Sequence, residues 1–427
     1  MFFLKKILKK FIPHKLSLTL SWVRNNLQYL IFQQNYKVVL NRLKKKKQIS
    51  VAFFVFNIDT WKANSVYRAF EESKKYNPVI VICPFVTKGD DFLQQQFEQV
   101  LNFVKKNNYK FILGFEGMTE KAVKKAKLPG FDIIFYLNPN PLSIPSFSVF
   151  NNNESLNFYL PYSFNIDNLF DYEYNNQFIN VMFGVFTMTK YHQNLYKKFS
   201  DVNGLNTQVV GFPHLDGYFS KPETMPWKNK KSTRKKIIWG PHWTIPGMQE
   251  TGLDWSCFIE YSDLFLAMAD NYSEQIELAL KPHPFLFQML GKEENWGNEK
   301  LNSYLEEWNN RENCQIHLGD YTDLFLTSDA LIHDSGSFSV EYLCIYKPLA
   351  YTNNSIDLMS RFNEIGQKVI SVHRLLKDSK DIDQFIQDVI AGVDVFSVER
   401  RDFLKNEIYA DGKTGERIVE HINKILD

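Results

Sequence analysis

After four lysines at Lys44 to Lys47, apolar and polar positions settle into a repeating alternation. Residues 49–56, Ile-Ser-Val-Ala-Phe-Phe-Val-Phe, are almost unbroken apolar β-formers, as a strand buried on both faces requires. A helical pattern follows near 65–75, then a strand over 79–83, an amphipathic helix over 92–106, a strand over 111–115, a short helix near 120–127 and a strand over 133–137. The pattern restarts after a polar, proline-marked stretch at 220–236, with a strand over 236–240, a helix over 255–271 and strands at 276–280, 315–318, 330–333, 348–351 and 369–372. Strands alternating with helices imply right-handed βαβ units and parallel sheets. The chain is therefore predicted to be α/β, with two Rossmann-like domains facing a central cleft: one over 48–219, a linker over 220–235, and one over 236–427.

Upstream of the lysines the period changes. Leu16, Leu20, Val23, Leu27 and Leu30 recur at alternating steps of four and three, which lines one face of a helix. Phe3, Ile7 and Phe11 form a similar stripe beside Lys5, Lys6, Lys9 and Lys10, and Pro13 separates the two pieces. Trp22 and Tyr29 suit a lipid headgroup boundary. Residues 1–47 are thus expected to be a basic amphipathic arm.

Charge sharpens this expectation. Residues 1–58 hold 12 Lys and Arg and no Asp or Glu, whereas the remainder has 38 basic against 48 acidic residues, so the overall +2 conceals a +12 arm and a −10 body. An anionic membrane surface suits such an arm, each cation near it contributing about 1 kcal/mol. Nucleic acid is not expected as a partner, because the body is acidic and carries no recognisable nucleic-acid module. A content of 44% hydrophobic residues excludes a disordered chain. The four cysteines have no CxxC spacing, against a zinc ribbon or disulfide framework. No apolar run reaches about 18 residues, so no transmembrane helix is expected.

Candidate chemistry gathers behind the strands of the second half. His242 and Thr244 follow 236–240, Lys281 and His283 follow 276–280, and Asp334, Ser335, Gly336 and Ser337 follow 330–333. Ligands in such sheets bind at the carboxyl ends of strands, so the three groups should converge on one edge. Asp-Ser-Gly-Ser leads into a helix expected over 339–345, and its amides and hydroxyls suit an anion. A protonated His283 would offset charge on a leaving diphosphate, and Glu341 would accept hydrogen bonds from ribose hydroxyls. Neither GxGxxG nor GxxxxGK[ST] occurs, so dinucleotide redox chemistry and P-loop hydrolysis are unsupported; no cofactor and no metal are expected.

Seven elements in order then carry a resemblance: Val210-Gly-Phe-Pro213 with Asp216, Ile237-Ile-Trp-Gly-Pro-His-Trp243, Lys281-Pro-His-Pro284, Asp320-Tyr-Thr-Asp-Leu324, the stretch from Ser328 to Ser337 with Glu341 and Lys347-Pro348, Asp411-Gly-Lys413, and Glu416-Arg417. Together they resemble the CDP-glycerol glycerophosphotransferase family, the polymerases and primases of teichoic acids and related capsules. The resemblance implies a GT-B fold, a CDP-activated alditol bound by the C-terminal domain, and a lipid-linked saccharide acceptor held by the N-terminal domain at the cytoplasmic face of the membrane. It implies attack by an acceptor hydroxyl on the β-phosphorus, with CMP leaving. By position, His283 matches the family histidine at the donor diphosphate, Ser335 and Ser337 bracket the place of its paired hydroxyl residues, and His242 stands in for an arginine. The first half lacks the family's His-Gly-Thr-Pro-Leu-Lys element, so Asp59 or His214 is expected as the base. The alternatives are a glycosyltransferase using a nucleotide sugar and a non-catalytic scaffold of a capsule assembly complex.

Overall fold

Seven parallel strands make the first sheet: β1 (Ile49–Val55), β2 (Tyr76–Ile82), β3 (Phe111–Leu113), β4 (Ile133–Tyr136), β5 (Leu156–Tyr159), β6 (Gly184–Thr187) and β7 (Thr207–Val209), in the order β3-β2-β1-β4-β5-β6-β7. The computed structural model describes residues 14–245, 255–292, 294–353 and 357–427. They divide into two units, the first comprising residues through Ser163, Leu169–His214 and Lys413–Asp427, the second Phe164–Asn168 and Leu215–Gly412.

Central β1 is buried at every position but Ser50, in keeping with its unbroken apolar run. Parallel register sets Phe53 beside Phe135 and Phe135 beside Phe158. The rings of Phe53, Phe135, Phe158 and Phe186 therefore stack in a row, with successive centroids 4.8, 5.6 and 5.2 Å apart. Each buried ring contributes about 1.5–3 kcal/mol, and the row ties four neighbouring strands of the sheet together.

Two helices at opposite ends of the chain complete this unit. Helix α1 (His14–Leu43) turns Asn25, Phe32, Tyr36, Val39 and Leu43 inward, at steps of seven, four, three and four. Tyr36 donates from its hydroxyl to the Val181 carbonyl at 2.9 Å. Lys46, just past α1, donates to both carboxylate oxygens of buried Asp132 at 2.7 and 2.8 Å. The C-terminal helix Thr414–Leu426 packs on α2 (Asn64–Glu72) so closely that a Cβ on Gly415 would stand 2.4 Å from the Ser65 carbonyl oxygen.

The second sheet has six parallel strands: β8 (Lys235–Gly240), β9 (Ile276–Leu280), β10 (Cys314–Ile316), β11 (Ala330–His333), β12 (Leu349–Thr352) and β13 (Arg374–Leu376). Their order is β10-β9-β8-β11-β12-β13, the Rossmann sequence 3-2-1-4-5-6, which reverses direction between β8 and β11. Its core stacks Trp239 on Phe258 and Phe265, with centroids 5.1 and 4.1 Å apart.

Several expectations are corrected. The arm over 1–47 is not a separate piece, because the inward residues of α1 belong to the first core; Phe3, Ile7 and Phe11 lie outside the described residues, as does the side chain of Leu16. Its predicted stripe faces solvent: Leu20, Val23, Leu27 and Leu30 are 40–58% exposed, and Trp22 is also exposed. Residues 220–235 are no free linker, since Trp227 is buried and donates to Thr327 at 3.0 Å, while Asp323 accepts from the amides of Glu223 and Thr224. The second domain does not run to 427, because Lys413–Asp427 belongs to the first unit. The helix expected near 120–127 is a β-hairpin, Phe115–Glu116 against Lys124–Lys125, and the strand expected at 369–372 is the end of helix Glu364–Ser371. Phe and Val suit either element, and here tertiary context decides.

Candidate functional site

Because β8 and β11 are paired to their last residues, Gly240 opposite His333, the loops that follow leave the sheet side by side. Asp334 joins them. Wholly buried, it accepts hydrogen bonds on Oδ1 from the amide of His242 and on Oδ2 from the amide of Cys257 at 2.8 Å, while its carbonyl accepts from the Tyr351 hydroxyl at 3.0 Å. Burial pushes its carboxyl up to about 7, with the amide bonds pulling the other way. Asp334 is therefore a frame for the site rather than a ligand.

Two imidazoles sit on that frame with ring centroids 5.0 Å apart. His242 Nδ1 lies 2.9 Å from Thr244 Oγ1 and 3.3 Å from the Thr244 amide, and Thr244 Oγ1 already accepts from the amide of Trp255 at 3.2 Å. Because the Thr244 amide can only donate, His242 Nδ1 is an acceptor and the Thr244 hydroxyl donates to it as well, which leaves the ring proton on Nε2. His283 reaches the same state, its Nδ1 accepting from the Phe285 amide at 3.2 Å. Pro282 and Pro284 fix this turn, and the His283 amide donates to the Pro241 carbonyl at 3.0 Å. Burial holds His242 down at about 3, and burial with the neighbouring His242 and Lys281 keeps His283 well below its ordinary value. The expectation of a protonated His283 is corrected: both rings are neutral and present Nε2–H donors.

The turn after Asp334 differs in detail from the expectation. Helix α3 is only Gly336–Glu341, continued by a 3-10 turn over Tyr342–Ile345. The Ser335 amide is committed to His333 Nδ1 at 3.1 Å, so an anion can use the amides of Gly336 and Ser337, which have no helical acceptor. The Ser335 and Ser337 hydroxyl oxygens stand 3.4 Å apart. At Gly336 a Cβ would meet the Trp255 ring at 2.9 Å, so only glycine lets this indole cover the turn.

Other predicted residues take different places. Thr244 is fully buried and orients His242. Glu341 is also fully buried, its Oε2 accepting from Tyr218 at 3.2 Å and Tyr321 at 2.7 Å; both hydroxyls stand where ribose hydroxyls were expected. The ammonium of buried Lys281 lies 5.2 Å over the Tyr321 ring and 3.4 Å from the Pro282 carbonyl. Lys281, Tyr321 and Glu341 thus form one packed chain beside the turn. Asp59 is exposed in the first unit, on the loop after β1, and His214 there has its Nε2 3.3 Å from Lys62 Nζ. Trp255, Tyr218 and Tyr321 were not singled out from sequence, although Tyr321 lies inside the Asp320 to Leu324 element and could have been found there. Among the described residues no group of three or more His, Cys, Asp and Glu could hold a metal, and no helix is long and apolar enough to cross a membrane.

Two Rossmann-like units with donors at a switch point define the GT-B class of α/β fold, and solved structures share it. The UDP-GlcNAc 2-epimerase of Methanocaldococcus jannaschii is 12% identical and matches over 88% of this chain and 99% of its own, with a TM-score of 0.54. A variant of the wall teichoic acid polymerase TagF is 12% identical over 95% of this chain and 98% of its own, with a TM-score of 0.55. The S. aureus MnaA structure with UDP is 14% identical over 89% and 97%, with a TM-score of 0.53. No family model matches the chain, and no curated protein does.

Proposed function

We propose that this protein transfers a polyol phosphate from a CDP-activated alditol to a hydroxyl of a lipid-linked saccharide and releases CMP, in cell-surface polymer synthesis. The observation that carries this reading is the pair of neutral imidazoles, His242 and His283, each fixed as an Nε2–H donor beside the free amides of Gly336 and Ser337. Such preorganised donors stabilise developing negative charge most where water is scarce. The seven-element resemblance to CDP-glycerol glycerophosphotransferases and the fold shared with TagF, of which one structure was soaked with CDPG, support the donor class.

In this reading the acceptor oxygen forms a bond to the β-phosphorus as the bond from that phosphorus to the bridging oxygen breaks. The bridging oxygen leaves on CMP with the electron pair, hydrogen-bonded by His242, His283 and the turn. The acceptor proton passes to a general base, for which we propose Asp59. No bound cofactor is needed to balance the step.

We also propose that α1 docks on an anionic membrane. Its outward stripe runs from Leu20 to Ile31, which at 1.5 Å per residue is about 17 Å of apolar edge, and no acidic residue occurs before Asp59.

A second reading, a nucleotide-sugar enzyme, is favoured by the equally good likeness to UDP-GlcNAc 2-epimerases. One experiment separates them: CDP-glycerol, CDP-ribitol and UDP-GlcNAc are each incubated with and without a lipid-linked saccharide, and products are resolved by chromatography. Acceptor-dependent CMP supports the transferase. Acceptor-dependent UDP, or epimerised sugar without acceptor, replaces it with the second reading.

A further inference from the structure

Beneath the turn lies a pair of histidines that the proposed chemistry does not use. His333 ends β11, and His373 stands between α4 (Glu364–Ser371) and β13. Both are essentially inaccessible, at 0 and 2% exposure, and their ring centroids are 5.5 Å apart at 63°. Tyr351 packs edge-on against both, at 5.2 and 6.4 Å, and Phe338 lies 6.4 Å from His333.

The Nδ1 partners set the two tautomers oppositely. His333 Nδ1 faces the Ser335 N–H at 3.1 Å, and a backbone amide only donates, so His333 carries its proton on Nε2. His373 Nδ1 faces the Val369 carbonyl at 2.8 Å, and a carbonyl only accepts, so His373 carries its proton on Nδ1 and its Nε2 is a bare acceptor. The two remaining atoms, a donor Nε2–H on His333 and an acceptor Nε2 on His373, are buried and have no protein partner among the described residues. Burial holds both imidazoles neutral, and beside His373 the Arg400 guanidinium, which donates to the Val372 carbonyl at 3.3 Å, acts in the same direction. A neutral donor and a neutral acceptor on adjacent buried rings are complementary, whereas two rings of the same tautomer would offer only like atoms.

We infer that His333 and His373 are positioning residues joined by a hydrogen-bonded relay. It runs from the Val369 carbonyl through His373 Nδ1–H, from His373 Nε2 through one bridging water to His333 Nε2–H, and from His333 Nδ1 to the Ser335 amide. Such a bridge satisfies both buried atoms, which would otherwise cost free energy. Its effect is to peg the backbone of Ser335, and with it the spacing of Asp334 behind and of the Gly336 and Ser337 amides ahead, to the helix C-terminus at Val369. The inference deepens the anion-site reading and rests on it for its consequence, but not for the tautomers themselves.

The test uses the full chain with ¹⁵N-labelled histidine. Long-range ¹H–¹⁵N spectra should show His333 as the Nε2–H tautomer and His373 as the Nδ1–H tautomer, with both assigned by loss of signal in single variants. His373→Gln keeps a donor for Val369 and an acceptor toward His333, while His373→Leu keeps the volume and removes both. CDP affinity measured by calorimetry should fall about tenfold or more in H373L and stay within about threefold of the parent in H373Q, with the Ser335 and Gly336 amide signals displaced only in H373L. The relay is overturned if both rings show the same tautomer, if H373L binds CDP like the parent, or if H373Q is as impaired as H373L. If H373L does not fold, the tautomers and H373Q decide. If the parent chain binds no CDP, the nucleotide reading fails, and the tautomers with the Ser335 amide shift still judge the relay.

Discussion

The two units share a strand order and differ in what crosses its point of reversal. In the first unit the loops after β1 and β4 fold back on themselves: the Asn57 side-chain oxygen accepts from Thr60 Oγ1 at 2.7 Å, and that of Asn138 from the Asn140 amide at 2.7 Å. In the second unit Asp334 reaches from the end of β11 to the amide of His242, 92 residues away in sequence, and to that of Cys257. Topology brings the loops together in both, but only a buried carboxylate with two acceptor oxygens ties them into one rigid frame. A frame suits a small, highly charged nucleotide whose phosphates need donors at fixed places. Independent loops suit an extended acceptor, recognised by fewer and more adaptable contacts.

The sharpest break in that comparison is Asp334→Ala. It leaves two buried amides without acceptors, at about 1–3 kcal/mol each, so the second unit should lose about 3 kcal/mol of stability and CDP affinity should drop about a hundredfold. Asn138→Ala, the matched change in the first unit, should cost under about 1 kcal/mol and leave CDP binding unchanged, because its partner is a neighbouring amide that water can serve. Urea unfolding followed by tryptophan fluorescence reports mainly the second unit, which holds six of the eight tryptophans. Equal losses in the two variants would remove the distinction between frame and loops.

This difference also marks where the sequence was readable. The strands near both centres of reversal were visible as apolar runs, and β9 and β11 occur at the expected residues. The outer strands β5, β6 and β7 of the first unit were not identified, since three or four residues such as Gly184–Thr187 carry too short a pattern to distinguish from a loop. In the site, His242, His283 and Asp334 could be placed because each directly follows a strand. That Asp334 turns inward and that the Glu341 carboxylate is held by Tyr218 and Tyr321 depend on partners 20–123 residues distant, and no local pattern encodes them; the imidazole tautomers are set by neighbours two to four residues away, but only once the turns have folded. Helix α1 was half legible: its outward stripe shows as the repeat Leu20, Val23, Leu27 and Leu30, whereas the inward one includes Asn25 and Tyr36, whose polar atoms find partners only in the folded unit.

The second prediction assigns membrane attachment to the first unit alone. Removing residues 1–47 would also remove Phe32, Tyr36, Val39 and Leu43 from the core, so truncation cannot separate binding from folding. Leu27→Asp with Leu30→Asp changes only exposed positions. Binding to vesicles containing anionic lipid, measured by sedimentation, should fall about tenfold, while the melting temperature shifts by no more than a degree or so. Vesicle binding that survives the double change but is abolished by high salt would place attachment on the lysines and deny the stripe a role.

The smallest expected effect concerns acid. His333 and His373 are held neutral, with folded pKa values below the unfolded value of about 6.5, so each penalises the native state increasingly as pH falls below that value. Asp334 acts oppositely: its folded pKa of about 7 lies above its unfolded value, so its contribution is fully present at low pH and is lost as pH rises toward 7. Since His242, His283 and His317 share the direction of the first pair, five groups outweigh one. The second unit should therefore lose stability between pH 7 and pH 6, each histidine contributing less than about 1 kcal/mol over that step. In the first unit one histidine, His421, is shifted down, with half-burial as its main cause. His373→Gln should flatten the pH dependence of the second unit's urea midpoint by roughly a quarter, since one of five down-shifted rings is gone while Asp334 still opposes the others. A slope that is unchanged in this variant, or that rises toward acid in the parent chain, would mean that His373 is charged in the native protein and that the carboxylate frame, not the neutral rings, governs this unit's response to protons.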